Sequence, residues 1–141
     1  MLVRLLYAST LAAPKDATVI DSILAQSRTH NPALGITGVL VYSEGVFLQA
    51  IEGGRKQVSQ LYQHICADKR HTDVVLLHFE EITERRFGSW TMGQVNLAKV
   101  NNSVLLKYSE TPELNPYSVS GAVSLALLEE LMLSAAVIGR S

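Results

Sequence analysis

Cysteine occurs once, at Cys66, so no disulfide can close within the chain, and a reducing compartment suits it. Charge is balanced and unclustered: 12 Lys and Arg face 13 Asp and Glu, a net charge of −1. The chain therefore has neither the basic face that nucleic acid requires nor an attraction to an anionic membrane. No apolar run approaches the ~20 residues of a membrane span. Met1 leads straight into a strand-like segment, with no h-region and cleavage site behind it, so no signal peptide is read and a cytoplasmic location is expected. Also missing are a Walker loop, G-x-G-x-x-G, C-x-x-C, H-E-x-x-H and G-x-S-x-G. The four histidines, His30, His64, His71 and His78, lack metal-ligand spacing, and no nucleophile is paired with a base. Neither a metal nor enzymatic catalysis is expected.

What the chain does have is apolar residues, 48% of its 141 against 18% charged. That length fits one domain able to bury about two thirds of its unfolded surface. Two apolar runs, residues 39–42 and 46–51, flank Ser43-Glu44-Gly45, a hairpin signal in which Gly45 supplies the positive φ of a three-residue loop. Neither run alternates, so both read as central strands covered on both faces. Within them Gln49 shares a face with Phe47 and Ile51, and a buried amide without partners costs about 1–3 kcal/mol.

Taken in order, residues 2–8 read as a strand with Val3, Leu5 and Tyr7 on one face, and 9–15 as a loop. Asp16 can cap a helix that Pro32 ends near Asn31. Its stripe of Val19, Ile20, Ile23, Leu24, Ser27, His30 and Asn31 begins apolar and turns polar. A second helix is read over 56–67, a charged turn over 68–71, a strand over 74–79, a connection over 80–88 and a strand over 90–97. The order is β-α-β-β-α-β plus one strand: an α+β, ferredoxin-like sandwich with two helices on one sheet face. Residues 101–108 read as a short helix, 110–116 as a linker and 119–138 as an apolar helix covering the other face. The division is 1–97 for the main domain and 98–141 for a helical extension.

Polar and aromatic residues in apolar positions are the candidates for chemistry: Tyr7, Ser27, His30, Asn31, Gln49, Trp90 and Met92. Each has an ordinary structural explanation. Tyr7 can reach water with its hydroxyl, Asn31 can end a helix, His30 can face solvent in a last turn, and Trp90 and Met92 can fill the core. Gln49 has no such local role. A flat ligand with amide-like edges, lying between the helices and the sheet, would give Gln49 and Asn31 their partners.

These residues stand in segments similar to those of BLUF domains, the flavin-binding blue-light sensors. The matching stretches are Leu5-Leu6-Tyr7-Ala8-Ser9, Asn31 followed by Gly35-Ile36-Thr37-Gly38-Val39-Leu40, Phe47-Leu48-Gln49 with Glu52-Gly53, Asp68-Lys69-Arg70-His71, and Arg86-Phe87-Gly88-Ser89-Trp90-Thr91-Met92. Lys69 stands where the family has proline. The resemblance implies FAD, with FMN or riboflavin as alternatives, bound without a covalent link between the two helices. It places Asn31 and Gln49 at the polar edge of the flavin ring, with Ser27 and His30 lining the pocket and Ile23, Leu40 and Phe47 against the ring. Arg70, with Asp68 and His71, falls toward the ribityl and phosphate end, where a cation is suited to an anion.

By the same resemblance Tyr7 donates an electron and a proton through Gln49, whose altered amide is then reported by Trp90 or Met92. A downstream effector protein and a homo-oligomer, a dimer or larger, are the expected partners. The LOV type of flavin sensor needs a cysteine beside the flavin, whereas Cys66 is expected as a small core filler, so no adduct is expected. Two other readings remain on the same fold. An acylphosphatase-like hydrolase needs an arginine in a phosphate loop after the first strand, which 9–15 lacks. A light-independent small-ligand or oligomerisation module leaves Gln49 and Asn31 unexplained.

Overall fold

The central hairpin sets the sheet. In the computed structural model, which describes residues 1–12, 17–95, 97, 100–133 and 137–140, strands β2 (Thr37–Ser43) and β3 (Val46–Gly54) pair antiparallel with Ser43 opposite Val46. The turn is therefore the two residues Glu44 and Gly45, at φ 49° and 85°, and not the three-residue loop expected. Positive φ at both central positions is what the right-handed twist of a two-residue hairpin requires. β3 also pairs along its length with β1 (Leu2–Leu11), whose other edge takes β4 (His71–Ile82). β2 in turn takes β5 (Trp90–Val95) in parallel, and β5 carries β6 (Val137–Arg140). The order β4-β1-β3-β2 is the ferredoxin-like arrangement, extended at one edge by β5 and β6. β2 and β3 are interior strands, as their unbroken apolar runs require.

Helices α1 (Ala17–Leu34) and α2 (Arg55–Ala67) cover the face carrying Val3, Leu5, Tyr7, Phe47, Ile51 and Met92, to which they add Ile20, Leu24 and Val58. Helices α3 (Asn102–Tyr108) and α4 (Gly121–Met132) cover the other, packing Leu105, Leu125, Leu127, Leu128 and Leu131 on Leu6, Val41, Leu48 and Val95. The expected two-sided sandwich is what forms, and the apolar stripe of α4 is buried against the sheet. Ser120 caps α4 by accepting from the Val123 amide at 3.1 Å. Gly121 allows its close approach, since a Cβ there would fall on the Leu77 carbonyl oxygen. No helix among the described residues is long and apolar enough to cross a membrane.

Several boundaries differ from the sequence reading. β1 runs on through Ser9 and Thr10, which pair with Phe47 and Val46, so the loop begins later than expected. α1 passes through Pro32 and stops at Gly35, whose φ of 68° and amide bond to the Pro32 carbonyl close the helix. A proline in a last turn forfeits one helical hydrogen bond, a smaller loss than unwinding the turn. The cap expected from Asp16 lies outside the described residues. β4 is longer than 74–79 and takes in His71 and Glu80; it is an edge strand with Val75, Leu76 and Phe79 exposed. The tail does not stay helical to 138: α4 ends at Met132, and the β-branched pair Val137-Ile138 joins the sheet edge instead. Cys66, expected as core, is exposed.

Candidate functional site

Antiparallel register places Tyr7 directly opposite Gln49, and Gln49 opposite Leu40. The parallel joint continues the row from Leu40 to Gln94 on β5. Four strands thus present one line of side chains to the face under α1 and α2. The Tyr7 hydroxyl donates to Gln49 Oε1 inside the core, where Tyr7 is 1% and Gln49 5% exposed. The amide of Gln49 is then fixed: its Nε2 donates to Met92 Sδ at 3.1 Å. A thioether is a weak acceptor, so this nitrogen remains able to take a better one. Gly38 is required by the Ala50 carbonyl oxygen, on which a Cβ would fall, and it also leaves space for Met92 Cε, 3.2 Å from where that Cβ would stand.

Burial pushes the Tyr7 phenol well above its ordinary pKa, and Tyr62, Cys66 and Asp68 push it further the same way. The Tyr62 ring packs 5.8 Å from Tyr7, and its own phenol is pushed up to about 12 by burial and by a hydrogen bond to Cys66. Tyr7 cannot act as a stored phenolate. Among the described residues, the acceptor drawn up to its hydroxyl is Gln49.

Asn31, in the last turn of α1, is 2% exposed, and its Nδ2 is buried without a hydrogen-bond partner. An orphaned buried donor is uncommon in folded proteins, and it marks where a ligand acceptor would fit. Ile23 and Ser27 are half-buried on the same helix, and Leu40 and Phe47 lie in the core beneath it. His30 stands on the solvent side, its Nδ1 within 3.0 Å of the Gln26 carbonyl, so the structure does not bring it to Gln49. Trp90 is half-buried and Met92 fully buried, which makes Met92 the residue of β5 that meets Gln49.

At one end of the helical layer Arg70 ties α1 to Asp68, the residue that caps the C-terminus of α2. It donates to Gln26 Oε1 at 2.7 Å and Ser22 Oγ at 3.4 Å, and forks onto Asp68 at 2.6–3.1 Å. These bonds from Arg70 hold the Asp68 carboxyl below its usual range, against the opposing effect of burial. A guanidinium between α1 and the end of α2 is of a type suited to an anion. The residues present therefore fit a flavin.

His71 is buried beside Arg70 with Nδ1 2.8 Å from Ser9 Oγ. Burial lowers its pKa from 6.5, with Asp68 opposing and Arg70 reinforcing. Below 6.5 the unfolded chain takes up the proton that the folded chain resists, so stability falls with pH through that window. Denaturant titrations from neutral pH downward should show this loss, and His71→Gln should flatten it.

Four residues with structural roles here were not singled out in the sequence. Tyr62 packs on Tyr7. Arg28, on α1, donates to the Met92 carbonyl at 3.2 and 3.3 Å. Arg4 and Glu52 form a fully buried ion pair at 2.7 Å. The charge of Arg4 in a strand otherwise apolar on both faces was the available signal. A cavity of about 510 Å³ between the hairpin tip, Leu105 and the 112–115 segment lies on the opposite face and includes none of the site residues.

Comparison with known proteins gives a consistent result. Residues 2–93 match the family model described as BLUF, sensors of blue-light using FAD. A photoactivated adenylate cyclase beta subunit of Euglena longa is 37% identical over 92 residues, 64% of this chain but 11% of that protein. The chain thus spans about a tenth of the length of the cyclase. Solved structures match over more of their length. BlsA in its photo-activated state aligns with TM-score 0.83 and 31% identity, covering 96% of this chain and 98% of that one. BlrB, a BLUF protein in its dark state, aligns with TM-score 0.74 and 34% identity, covering 93% and 94%.

Proposed function

The chain belongs to the BLUF family of flavin-binding blue-light sensors, and from that premise we propose that it is a cytoplasmic photoreceptor whose switch is the Tyr7–Gln49 pair. The observation that carries this reading is the buried hydrogen bond from the Tyr7 hydroxyl to an amide whose other end holds only a thioether. FAD is the flavin proposed. Asn31 Nδ2 and the Gln49 amide would take its polar ring edge, Ile23, Ser27, Leu40 and Phe47 its ring, and Arg70 with Asp68 and His71 its phosphate end. His30 lines the mouth in this reading. Residues 1–97 form the light-sensing unit and 98–141 the extension through which it acts.

When bound, the flavin supplies a light-excited oxidant. The rest follows from the chain. Tyr7 releases an electron and passes its proton along the existing hydrogen bond to Gln49 Oε1. Its raised pKa returns the proton once the electron comes back. If the Gln49 amide is left turned over, Nε2 faces the Tyr7 oxygen and Oε1 faces Met92 Sδ. Two acceptors then oppose each other, and the hold on β5 is lost. This is a local change in hydrogen bonding that biases a two-state element, with no net chemistry and no enzymatic turnover.

The output is a contact with an effector protein. The stripe of α4 is covered by the sheet, so the exposed Val75, Leu76 and Phe79 of β4 are where a second copy would meet this one. Purified protein should be yellow and release FAD on denaturation. Its flavin absorption should move to the red in blue light and recover in darkness. Protein that cannot take up flavin, or that shows no shift, overturns this reading.

A further inference from the structure

The ion pair on the opposite face of the sheet is not used by this photochemistry, yet it holds the segment that leads into the strand that responds to it. Glu52 is 0% and Arg4 1% exposed. One carboxylate oxygen of Glu52 takes Arg4 Nε at 2.8 Å and the Arg86 amide at 3.0 Å; the other takes the Phe87 amide at 2.6 Å. Arg4 also reaches Glu80 at 2.5 Å, and its guanidinium lies 5.8 Å from the Phe87 ring centroid. Phe87 is itself fully buried. Arg85 fastens the same segment by donating to Thr37 Oγ1 at 2.8 Å and to the Gly35 carbonyl at 2.7 Å.

A buried ion pair is a poor source of stability, because apolar residues of equal volume often serve as well. What an apolar pair cannot do is accept two consecutive backbone N–H groups and so fix a loop. Here the fixed loop leads directly into β5. Among the described residues the ladder from β5 to β2 begins at Gly93 and runs for three pairs to Val95. Between Phe87 and Gly93, β5 pairs with β6 at Trp90 and is held to α1 and β3 at Met92, by Arg28 at its carbonyl and Gln49 at its sulfur. Beyond it, Val95 packs with Leu105, Leu128 and Leu131 of the C-terminal helices.

We propose that Glu52 is a positioning residue that makes the 86–87 segment a fixed pivot, so that release of Met92 by Gln49 swings the Val95 end of β5 against α3 and α4. The inference rests on the photoreceptor reading. Gln49 and Glu52 lie three residues apart on β3 and point to opposite faces, so one rigid strand supplies both the trigger and the pivot. Without the pivot, release at Met92 is absorbed by slippage of the 85–88 loop and does not reach the helices.

The test compares hydrogen exchange of the flavin-loaded full chain in light and darkness, with the absorption shift recorded on the same samples. In the wild type, light should change exchange at residues 93–95 and in α3 and α4. Glu52→Gln should keep the red shift and lose the light-dependent change in the helices, and Glu52→Asp should restore part of it. A second pair of variants leaves the carboxylate intact. Arg86→Pro deletes the N–H that Glu52 accepts and should weaken the coupling; both it and Arg86→Ala lose the side chain's ion pair to Glu129 of α4, so Arg86→Ala, which keeps the N–H, is the matched control and should preserve the coupling. Helix responses equal to wild type in both Glu52→Gln and Arg86→Pro, alongside a normal red shift, overturn the pivot and leave the photoreceptor reading standing. A wild type without a red shift removes both.

Discussion

Tyr7→Phe should bind flavin as well as the wild type and show no red shift at all under blue light. The substitution keeps the ring that packs against Tyr62 and Phe47's layer of the core, so the pocket retains its shape. What it removes is one oxygen, and with it both the electron donor and the only hydroxyl drawn up to Gln49 Oε1. Leaving that buried acceptor without its donor costs about 1–3 kcal/mol, which a melting curve will register without loss of the fold. The raised phenol pKa is central to the expectation. A phenol that releases its proton only when oxidised rests in one protonation state in the dark, and it restores that state unaided. Absorption spectra before, during and after illumination check this directly. A Tyr7→Phe protein that cycles normally would show that the electron comes from elsewhere.

The second large effect is on stability. Arg4→Met should lower the free energy of unfolding by about 3–5 kcal/mol, because it strands the carboxylate of Glu52 in the core with no cation. Glu80 does not share this fate: it is a third exposed and keeps His78 as a partner. Urea titration of the single variant measures the loss. The double variant Arg4→Met with Glu52→Leu should recover much of it, since the cost lies in the unpaired charge and not in the missing bond. A single variant within about 1 kcal/mol of wild type would overturn the claim that the buried Glu52 carboxylate depends on Arg4.

How far the sequence anticipated this protein depends on how local each signal was. The hairpin, the two helices over one face and the shared face of Val3, Leu5 and Tyr7 follow from periodicity within a few residues, and the structure has them. The site was legible because Gln49 and Asn31 are polar groups in apolar positions, and burial leaves such groups few options. The errors came where competing local terms were close. Pro32 was given more weight than a last helical turn allows, and Ser9 and Thr10 were read into the loop that holds Pro14, although β3 pairs with both of them and β4 with Thr10. Arg4, Glu52 and Arg28 were missed for a different reason. Each acts across 34 to 76 residues of sequence, on a backbone group or a partner that no window around it contains. Cys66 fell next to an apolar stripe on the helix and still faces out, since adjacency on a helix fixes an angle and not a depth.

The joint between β2 and β5 has a thermal consequence. It is the one parallel seam in the described sheet, only three pairs long, beside β1, β3 and β2, which are laced antiparallel over most of their lengths. Parallel pairing is the weaker kind per residue, and regions with few bonds open at a small fraction of the free energy of global unfolding. In the proposed switch, the gap between the two positions of β5 is set by this joint, by the β6 pairing on its other edge and by the side-chain ties at Met92, while the melting temperature is set by the rest. On warming, the joint stops discriminating between those positions well before the domain unfolds, so the useful range of the switch is narrower than the range over which the protein stays folded.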